Sequence, residues 1–528
     1  MVGQACHVQC RTVTAKRVLL LVLGVTGLSL GVGFTVAVKR AEPRLRQEVV
    51  RALEARMDAA VTLETLTVRM WPRPMIAGGG LTIRHRQRTD LPPLIVIREF
   101  SGDASLSGIF SASLNAVMLD GLEITIPPRR RQDMPDIVPG QNVGDDGERD
   151  RSRFGIANLT ATNARLTILP GNPEKDPRVF DIHALQIDNL TLQTPSRFVA
   201  SITNPIPVGR IETSGSFGPW NGEEPGDTPL DGQFQFDADL GTIKGIAGAL
   251  HANGGFEGIL DRLAVKGTTE TPDFSIPKLK AASVPLATTF QAVVDGTNGD
   301  VQLERVDVRL GDSPLIAKGF IVGTKGVKGK RVLLDVTASR ARIEDMLRLT
   351  VRTTPPMMRG ALALTTSFDL PQGDADVIDK LRLGGTVTIT DAHFASDAVQ
   401  GKVDTLSRRA SGRPEDQSVH NVPSTVKARF TLADGVLTLQ SVNYDVNGAA
   451  VALHGRYELE PGQLNLEGTV RLHATVSETQ TGMRHFLLKP FDAMFRKGGA
   501  GTRLAITITG SVESPKVGID LRRSLKGK

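Results

Sequence analysis

From Gln463 to Ser477 apolar and polar side chains alternate almost without a break. Leu464, Leu466, Val470, Leu472, Ala474 and Val476 share one parity with Gly468, while Asn465, Glu467, Thr469, Arg471, His473, Thr475 and Ser477 hold the other. A period of two sends successive side chains to opposite faces, so this pattern predicts a long strand with one oily and one wet face. The preceding run behaves alike, with Ala449, Val451, Leu453, Tyr457 and Leu459 set against His454, Arg456 and Glu458. Between the two lies Glu460-Pro461-Gly462-Gln463, whose Pro and Gly fall at the central positions of a type II turn. The two strands and their turn predict an antiparallel hairpin.

The same alternation recurs in Phe234, Phe236, Ala238 and Leu240, and again in Leu362, Leu364, Phe368 and Leu370. It returns in Leu381, Leu383, Val387 and Ile389, and in Leu504, Ile506, Ile508 and Val512. Asp434-Gly435 separates Phe430 and Leu432 from Val436 and Leu437, a further turn signal. Residues 154–528 therefore read as strand after strand. One helical interlude is predicted near Arg342 to Leu349, where Ile343, Met346 and Leu347 share a face. No alternation of strands with helices appears, which argues against a doubly wound or TIM-barrel architecture. A long sheet with one oily face must hide it on a second sheet, in a barrel, or in a trough. Periodicity alone leaves all three open.

Ahead of the strands the pattern changes. Val18 to Val38 carries no charge, and at about 1.5 Å per residue it spans roughly 30 Å, the thickness of a bilayer's hydrocarbon core. Val18, Leu19, Leu20, Leu21, Leu23, Leu28, Leu30, Phe34 and Val38 are its anchoring residues. Lys16 and Arg17 flank one end, Lys39 and Arg40 the other. A cleaved signal peptide is the rival reading, but the apolar stretch is long for one and lacks a small-residue cleavage site. The sequence thus predicts a tail at 1–17, a retained transmembrane helix at 18–38, and a membrane-proximal region at 39–126. In that region Leu45, Val49, Leu53 and Met57 recur every four residues, as in an amphipathic helix. Leu122, Ile124 and Ile126 then share one face of a strand that stops at Pro127-Pro128. Residues 127–153, rich in Pro, Arg, Asp and Gly, read as a polar linker or loop. A β-rich domain over 154–528 completes the chain.

Composition narrows the function. Of 528 residues 40% are hydrophobic and 23% charged, the balance of a folded protein. Aromatic residues make up only 4%, so aliphatic side chains must supply the oily faces. The net charge of +6 is spread along the chain, and the two Tyr and two Trp offer little for base stacking. Nucleic acid is therefore not an expected partner. Basic residues flank the apolar segment on both sides, so charge does not decide which side the large domain occupies. Both cysteines, Cys6 and Cys10, precede that segment and leave the β region without a disulfide. With His7 they make a poor metal site on a short tail.

No zinc-protease, nucleophile-elbow or dinucleotide-binding motif is present, and the nine histidines do not pair at ligand spacing beyond the tail. Neither catalytic residue nor cofactor nor metal is expected. Gly323 to Lys330, reading GTKGVKGK, has the glycines and lysines of a phosphate-binding loop. Its spacing is one residue too long, and Arg331 stands where Ser or Thr should hold magnesium, so it reads as a basic hairpin turn. Asp295-Gly-Thr-Asn-Gly-Asp300 gathers oxygen ligands but lacks the spacing and closing Glu of a calcium loop. It too reads as a polar turn.

In its order of features the chain resembles the AsmA-like family of bacterial envelope proteins, the AsmA and TamB type. The resemblance starts at the anchor. It continues through Leu66-Thr-Val-Arg-Met-Trp-Pro-Arg-Pro74, Gly80-Leu-Thr-Ile83, Leu94 to Phe110, and Leu119-Asp-Gly-Leu-Glu-Ile-Thr-Ile126. It resumes at the C-terminal end in Gly501 to Gly510 and Ser514 to Leu521, with Thr271 to Phe274 and Val294 to Gly299 similar in the middle. These are strand-and-turn patterns rather than catalytic signatures.

The resemblance implies a mainly β fold: one N-terminal transmembrane helix, then a long antiparallel sheet curled into an elongated groove. It implies a single-pass protein of the inner membrane, its large domain in the periplasm. Such a protein would shelter or transfer phospholipid or other acyl-chain lipids and support outer-membrane biogenesis. An outer-membrane or periplasmic protein is a further partner the family would suggest. The oily strand faces supply the groove candidates: Phe234, Phe236, Leu362, Leu364, Val387, Ile389 and Val451. Leu453, Leu464, Leu466, Val470, Leu472, Ile506 and Ile508 complete them. A non-transporting scaffold that assists outer-membrane protein assembly is the alternative, and it needs no open apolar lining.

Overall fold

The computed structural model describes residues 43–520 except 45, 52, 56, 58, 70–74, 86–89, 104–112, 130–154, 353, 476, 480–501, 512 and 513. The predicted anchor at 18–38, and all of the polar segment except 127–129, lie outside the described residues. Among those described, no helix is long and apolar enough to cross a membrane. The fold is mainly β, and every registered strand pair is antiparallel.

Two compact units are present. The first is described over residues 43–125, 155–165 and 184–196. In it β1 (Ala59–Thr62) and β2 (Thr65–Arg69) both pair with β3 (Met75–His85), which pairs with β4 (Ile95–Asp103) and that with β5 (Ser113–Ile126). Residues 46–51 and 53–55 are helical, as the four-residue spacing predicts. Val50, Leu53 and Met57 pack against buried Ala59, Val61 and Ile83. The helix thus closes one face of a short sheet that could not bury that face alone. β6 (Gly155–Ile168), β7 (Arg178–Leu190) and β8 (Ser196–Pro205) are divided between the units.

The second unit carries a meander. Its first half runs through β9 (Val208–Phe217), β10 (Leu230–Asp239), β11 (Ala249–Ile259), β12 (Arg262–Thr271), β13 (Leu286–Asp295), β14 (Asp300–Leu310), β15 (Ser313–Val322) and β16 (Arg331–Arg342). It continues through β17 (Met358–Leu370), β18 (Arg382–Phe394), β19 (Ser424–Ala433), β20 (Val436–Val446), β21 (Ala449–Glu458), β22 (Gln463–Leu472), β23 (Thr502–Ser511) and β24 (Ser514–Asp520). From β9 onward each strand pairs with the next, and no registered pair joins β9 to β24, so this large sheet is open. Alternating sequences and tight turns make it so. Asp434 and Gly435 both adopt positive φ, 51° and 71°, which the two-residue hairpin between β19 and β20 requires. Gly462, at φ 83°, turns β21 into β22 as the Pro-Gly signal predicts.

Among the described residues three α-helices interrupt the meander: α1 (Ile343–Thr350), α2 (Val377–Lys380) and α3 (Asp397–Ala410). α1 is the predicted interlude. Ile343, Met346 and Leu347 face Ala338, Ala341, Leu362, Ile389 and Ala392. Its buried Asp345 accepts hydrogen bonds from Ser313 Oγ at 2.7 Å and from Asp312 N at 3.1 Å, tying the helix to the β14–β15 turn. α3 has no counterpart in the strand pattern. Val403, Ala410 and Leu406 pack on Val446, Ala449, Val451, Val470, Leu472 and Ile506, but its inward face also carries Gln400, Asp404 and Ser407. Asp404 accepts from the backbone N–H groups of Asn421 and Val422, each at 2.9 Å, and from Gln400 Nε2 at 3.0 Å. The buried side chains of Gln400, Asp404 and Ser407 are therefore each hydrogen-bonded, as burial demands.

The predicted strand from Gln463 to Ser477 ends five residues early, at Leu472. There the ladder gives way to other partners: His473 N donates to Gly448 O, and Ala474 N donates to Ala410 O at the end of α3. The alternation continues past this point because Ala474 is buried against the helix, not because the strand does.

A twist of about 20–25° per strand accumulates along such a meander. It brings the connection between β12 and β13 onto α2, between β17 and β18. Lys278 Nζ lies 2.5 Å from Asp379 Oδ1, and Leu279 packs with Ile378, Leu381 and Leu432.

Candidate functional site

Residues directly opposite one another in antiparallel strands lie on the same face, so the registers trace that face across the sheet. Starting at Phe234, the pairings lead through Gly254, Gly267, Phe290, Val306 and Ala317 to Val336. From Val336 they continue through Thr366, Gly385, Phe430 and Leu439 to Gly455. The row then passes Leu466 and Ile508 and ends at Val517. No charged residue interrupts it from β10 to β24.

The neighbouring row is charge-free as well. It runs from Ile211 through Phe236, Ala252, Thr269, Thr288 and Val308 to Leu315. It resumes at Ala338 and passes Leu364, Val387, Ala428, Val442 and Leu453. Gly468, Ile506 and Ile519 complete it. The opposite face is polar. Lys266, Gln291 and Arg305 stand in one row, and Arg456, Asn465, Thr509 and Lys516 in another. Ion pairs between strand residues of this sheet lie on that side. Arg331 reaches Asp369 with two hydrogen bonds, at 2.9 and 2.8 Å, and these hold the Asp369 carboxyl below its ordinary range.

The predicted groove residues share one face but not one environment. Leu362 and Ile389 are buried beneath α1, and Leu364 and Val387 lie at the rim of the same cluster. Val451, Val470, Leu472 and Ile506 are buried beneath α3, with Leu453 beside them. Leu466 is buried and pairs with half-buried Ile508, while Leu464 is half-buried opposite Tyr457. Tyr444 also points into the α3 cluster. Its hydroxyl lies 2.7 Å from Ser424 Oγ, and burial raises its pKa. Phe234 and Phe236 are different. They are half-buried, and so are Ile211, Leu250, Phe256 and Val265 around them. Among the described residues none of the three α-helices joins a core cluster with these strands, and in that sense the stretch is uncovered.

Phe234 and Phe236 were predicted for this stretch, but the glycines that pack against its rings were not singled out in the sequence. A phenyl ring lies across a glycine of the adjoining strand three times over. A Cβ on Gly254 would sit 2.9 Å from Phe234 Cζ, one on Gly232 would sit 2.7 Å from Phe256 Cζ, and one on Gly267 would sit 3.0 Å from Phe290 Cζ. Each pair is directly opposed in the ladder. The rings cover glycine backbone that would otherwise meet water and flatten the apolar surface. The signal was present as Phe and Gly in strands of matching parity, but only the register shows which faces which.

Chemically this face can hold apolar matter by area and little else. Among the described residues no group of three or more His, Cys, Asp or Glu is placed to hold a metal ion. The segment from Asp295 to Asp300 is a turn whose first carboxylate is taken by Thr297 and Asn298. The segment from Gly323 to Lys330 joins β15 to β16. Comparison with family models, curated proteins and solved structures finds no match.

Proposed function

We propose that this chain is an inner-membrane-anchored envelope protein whose apolar sheet face shelters the acyl chains of phospholipid or similar lipids. In this role it moves lipids between envelope membranes and supports outer-membrane biogenesis, the role suggested by the AsmA-like sequence features. The observation that carries the reading is the pair of charge-free rows running strand to strand across the second unit. An acyl chain laid along them gains up to about 0.8 kcal/mol for each methylene removed from water. No charged side chain in these rows offers it a fixed anchor, so it is held by area and can slide. The uncovered stretch around Phe234, Phe256 and Phe290 is where a lipid would meet the face.

The test uses the full chain in a bacterial host, with benzoyl-phenylalanine replacing Phe234, Phe256 or Phe290 and, on the polar face, Gln235 or Lys266. Ultraviolet irradiation followed by mass spectrometry should find lipid adducts at the first three positions and none at the last two. Folded protein without adducts at any apolar position would sink the acyl-chain reading. It would promote the non-transporting scaffold, which the cover of α1 and α3 over much of the face favours, since a covered face is a core.

A further inference from the structure

The two motifs set aside as turns meet in the structure. The Asp295–Asp300 turn between β13 and β14 and the Gly323–Lys330 loop between β15 and β16 converge, and residues 169–177, between β6 and β7, reach both. Lys175 Nζ lies 2.5 Å from Asp300 Oδ2 and donates to Gly323 O at 2.6 Å. Asp300 Oδ1 accepts from Gly323 N at 2.9 Å. Lys330 Nζ, 3.6 Å from the same oxygen, donates to the carbonyl of Gly299. Asp176, the next carboxylate along, accepts from Gly326 N at 2.9 Å.

Arg178 is the third cation. Its guanidinium lies over the Phe180 ring, 5.5 Å from the centroid, and has no carboxylate partner among the described residues. It also lies close to Lys330. A Cβ on Gly299 would come 3.0 Å from Lys330 Nζ and 3.2 Å from Arg178 Nε, so the two cations converge over this glycine. Two half-buried lysines thus share one committed carboxylate, and a third half-buried cation, Arg178, stands beside Lys330. Burial lowers the pKa of Arg178, and it lowers that of Lys330 with further help from the Arg178 and Lys175 charges. Unneutralised positive charge held partly away from water is costly, and a bound anion would offset that cost.

We propose that Arg178, Lys330 and Lys175 form a site for a phosphate-type oxyanion beside Gly299, taken either from a lipid headgroup or from free phosphate. The guanidinium offers a planar fork that suits two phosphate oxygens, and the ammonium groups supply charge from the sides. The site lies on loops rather than on the apolar face, so it does not depend on the acyl-chain reading.

The experiment is calorimetric titration of the full-length protein in a non-ionic detergent. The probes are inorganic phosphate, water-soluble dihexanoyl phosphatidic acid, and dihexanoyl glycerol as the neutral control. At least one phosphate probe should bind. Arg178→Gln and Lys330→Gln should each weaken it about tenfold, and Lys266→Gln on the polar face should not. Binding of phosphatidic acid alone assigns the headgroup, whereas equally tight inorganic phosphate assigns the free ion. Arg178→Gln strands no hydrogen-bond partner among the described residues, so it decides the matter even if Lys330→Gln fails to fold. Failure of both phosphate probes to bind, or unchanged binding by Arg178→Gln, overturns the site.

Discussion

Strands β9–β13 and β16–β23 have the same alternation, the same polarity difference between faces, and the same register rule. Their apolar faces nevertheless have different fates. On β16–β23 the face lies beneath α1 and α3, and its residues form compact aliphatic clusters. On β9–β12 Phe234, Phe236 and Phe256 remain half-buried, with rings lying across glycines rather than beneath a helix. The strands do not make this difference; the connections do. α1 and α3 are inserted between β16 and β17 and between β18 and β19; α1 folds back over β16–β18, and α3 reaches across the face of β20–β23. An oily strand face is therefore a necessary feature of both a groove and a core, and it distinguishes neither.

The sharpest way to break this comparison is to place a charge on each region. Leu362, 2% exposed, packs with Ile343 of α1, so Leu362→Asp should cost at least about 4 kcal/mol. Phe234→Asp, on the uncovered stretch, should cost about 1–2 kcal/mol and leave the fold intact. Urea denaturation of both variants measures this, and equal losses would show that the two regions are buried alike. A smaller effect tests whether α1 is held as the packing indicates. Asp345→Ala leaves the Ser313 hydroxyl and the Asp312 N–H without their acceptor and should cost about 1–3 kcal/mol in the same assay.

The cover over β18–β22 should also respond to acid. At Asp404 burial works to raise the pKa. The backbone N–H groups of Val422 and Asn421, with the Gln400 side chain, outweigh it and leave the value lowered. A carboxyl with a depressed folded-state pKa contributes stability above its unfolded value, near about 3.9, and loses it as pH falls through the folded value. Asp404→Asn should therefore be less stable than the parent at neutral pH, with the gap narrowing below about pH 4. A gap that stays constant across that window in thermal melts at stepped pH would remove Asp404 from the account. The smallest effect belongs to the polar face. Asp307 pairs with Arg305 at 2.8 Å in full solvent, and Asp307→Asn should shift the melting temperature by nothing measurable.

Legibility followed exposure. The meander could be read because its strands keep one face wet and one dry, which writes the period of two directly into residues such as Leu453, His454, Leu464 and Asn465. α1 could be read because Ile343, Met346 and Leu347 are apolar and buried together. α3 could not, because Gln400, Asp404 and Ser407 share its inward face with Val403 and Ala410. The apolar stripe is diluted where buried polar groups find backbone partners. The strand at Gln463 was read too far for a related reason: Ala474 and the residues before it keep strand parity while the chain has already turned onto α3.

The sequence by itself determined the class of fold, the strands with their two faces, and several turns. Each follows from interactions between residues close in the chain, where a period or a Pro-Gly pair is sufficient. Tertiary structure decided which oily residues are covered and which phenyl rings lie on which glycines. It also decided that Lys175 meets Asp300 beside Lys330 and Arg178. Those contacts depend on register and on twist summed over many strands, and no local pattern carries that sum.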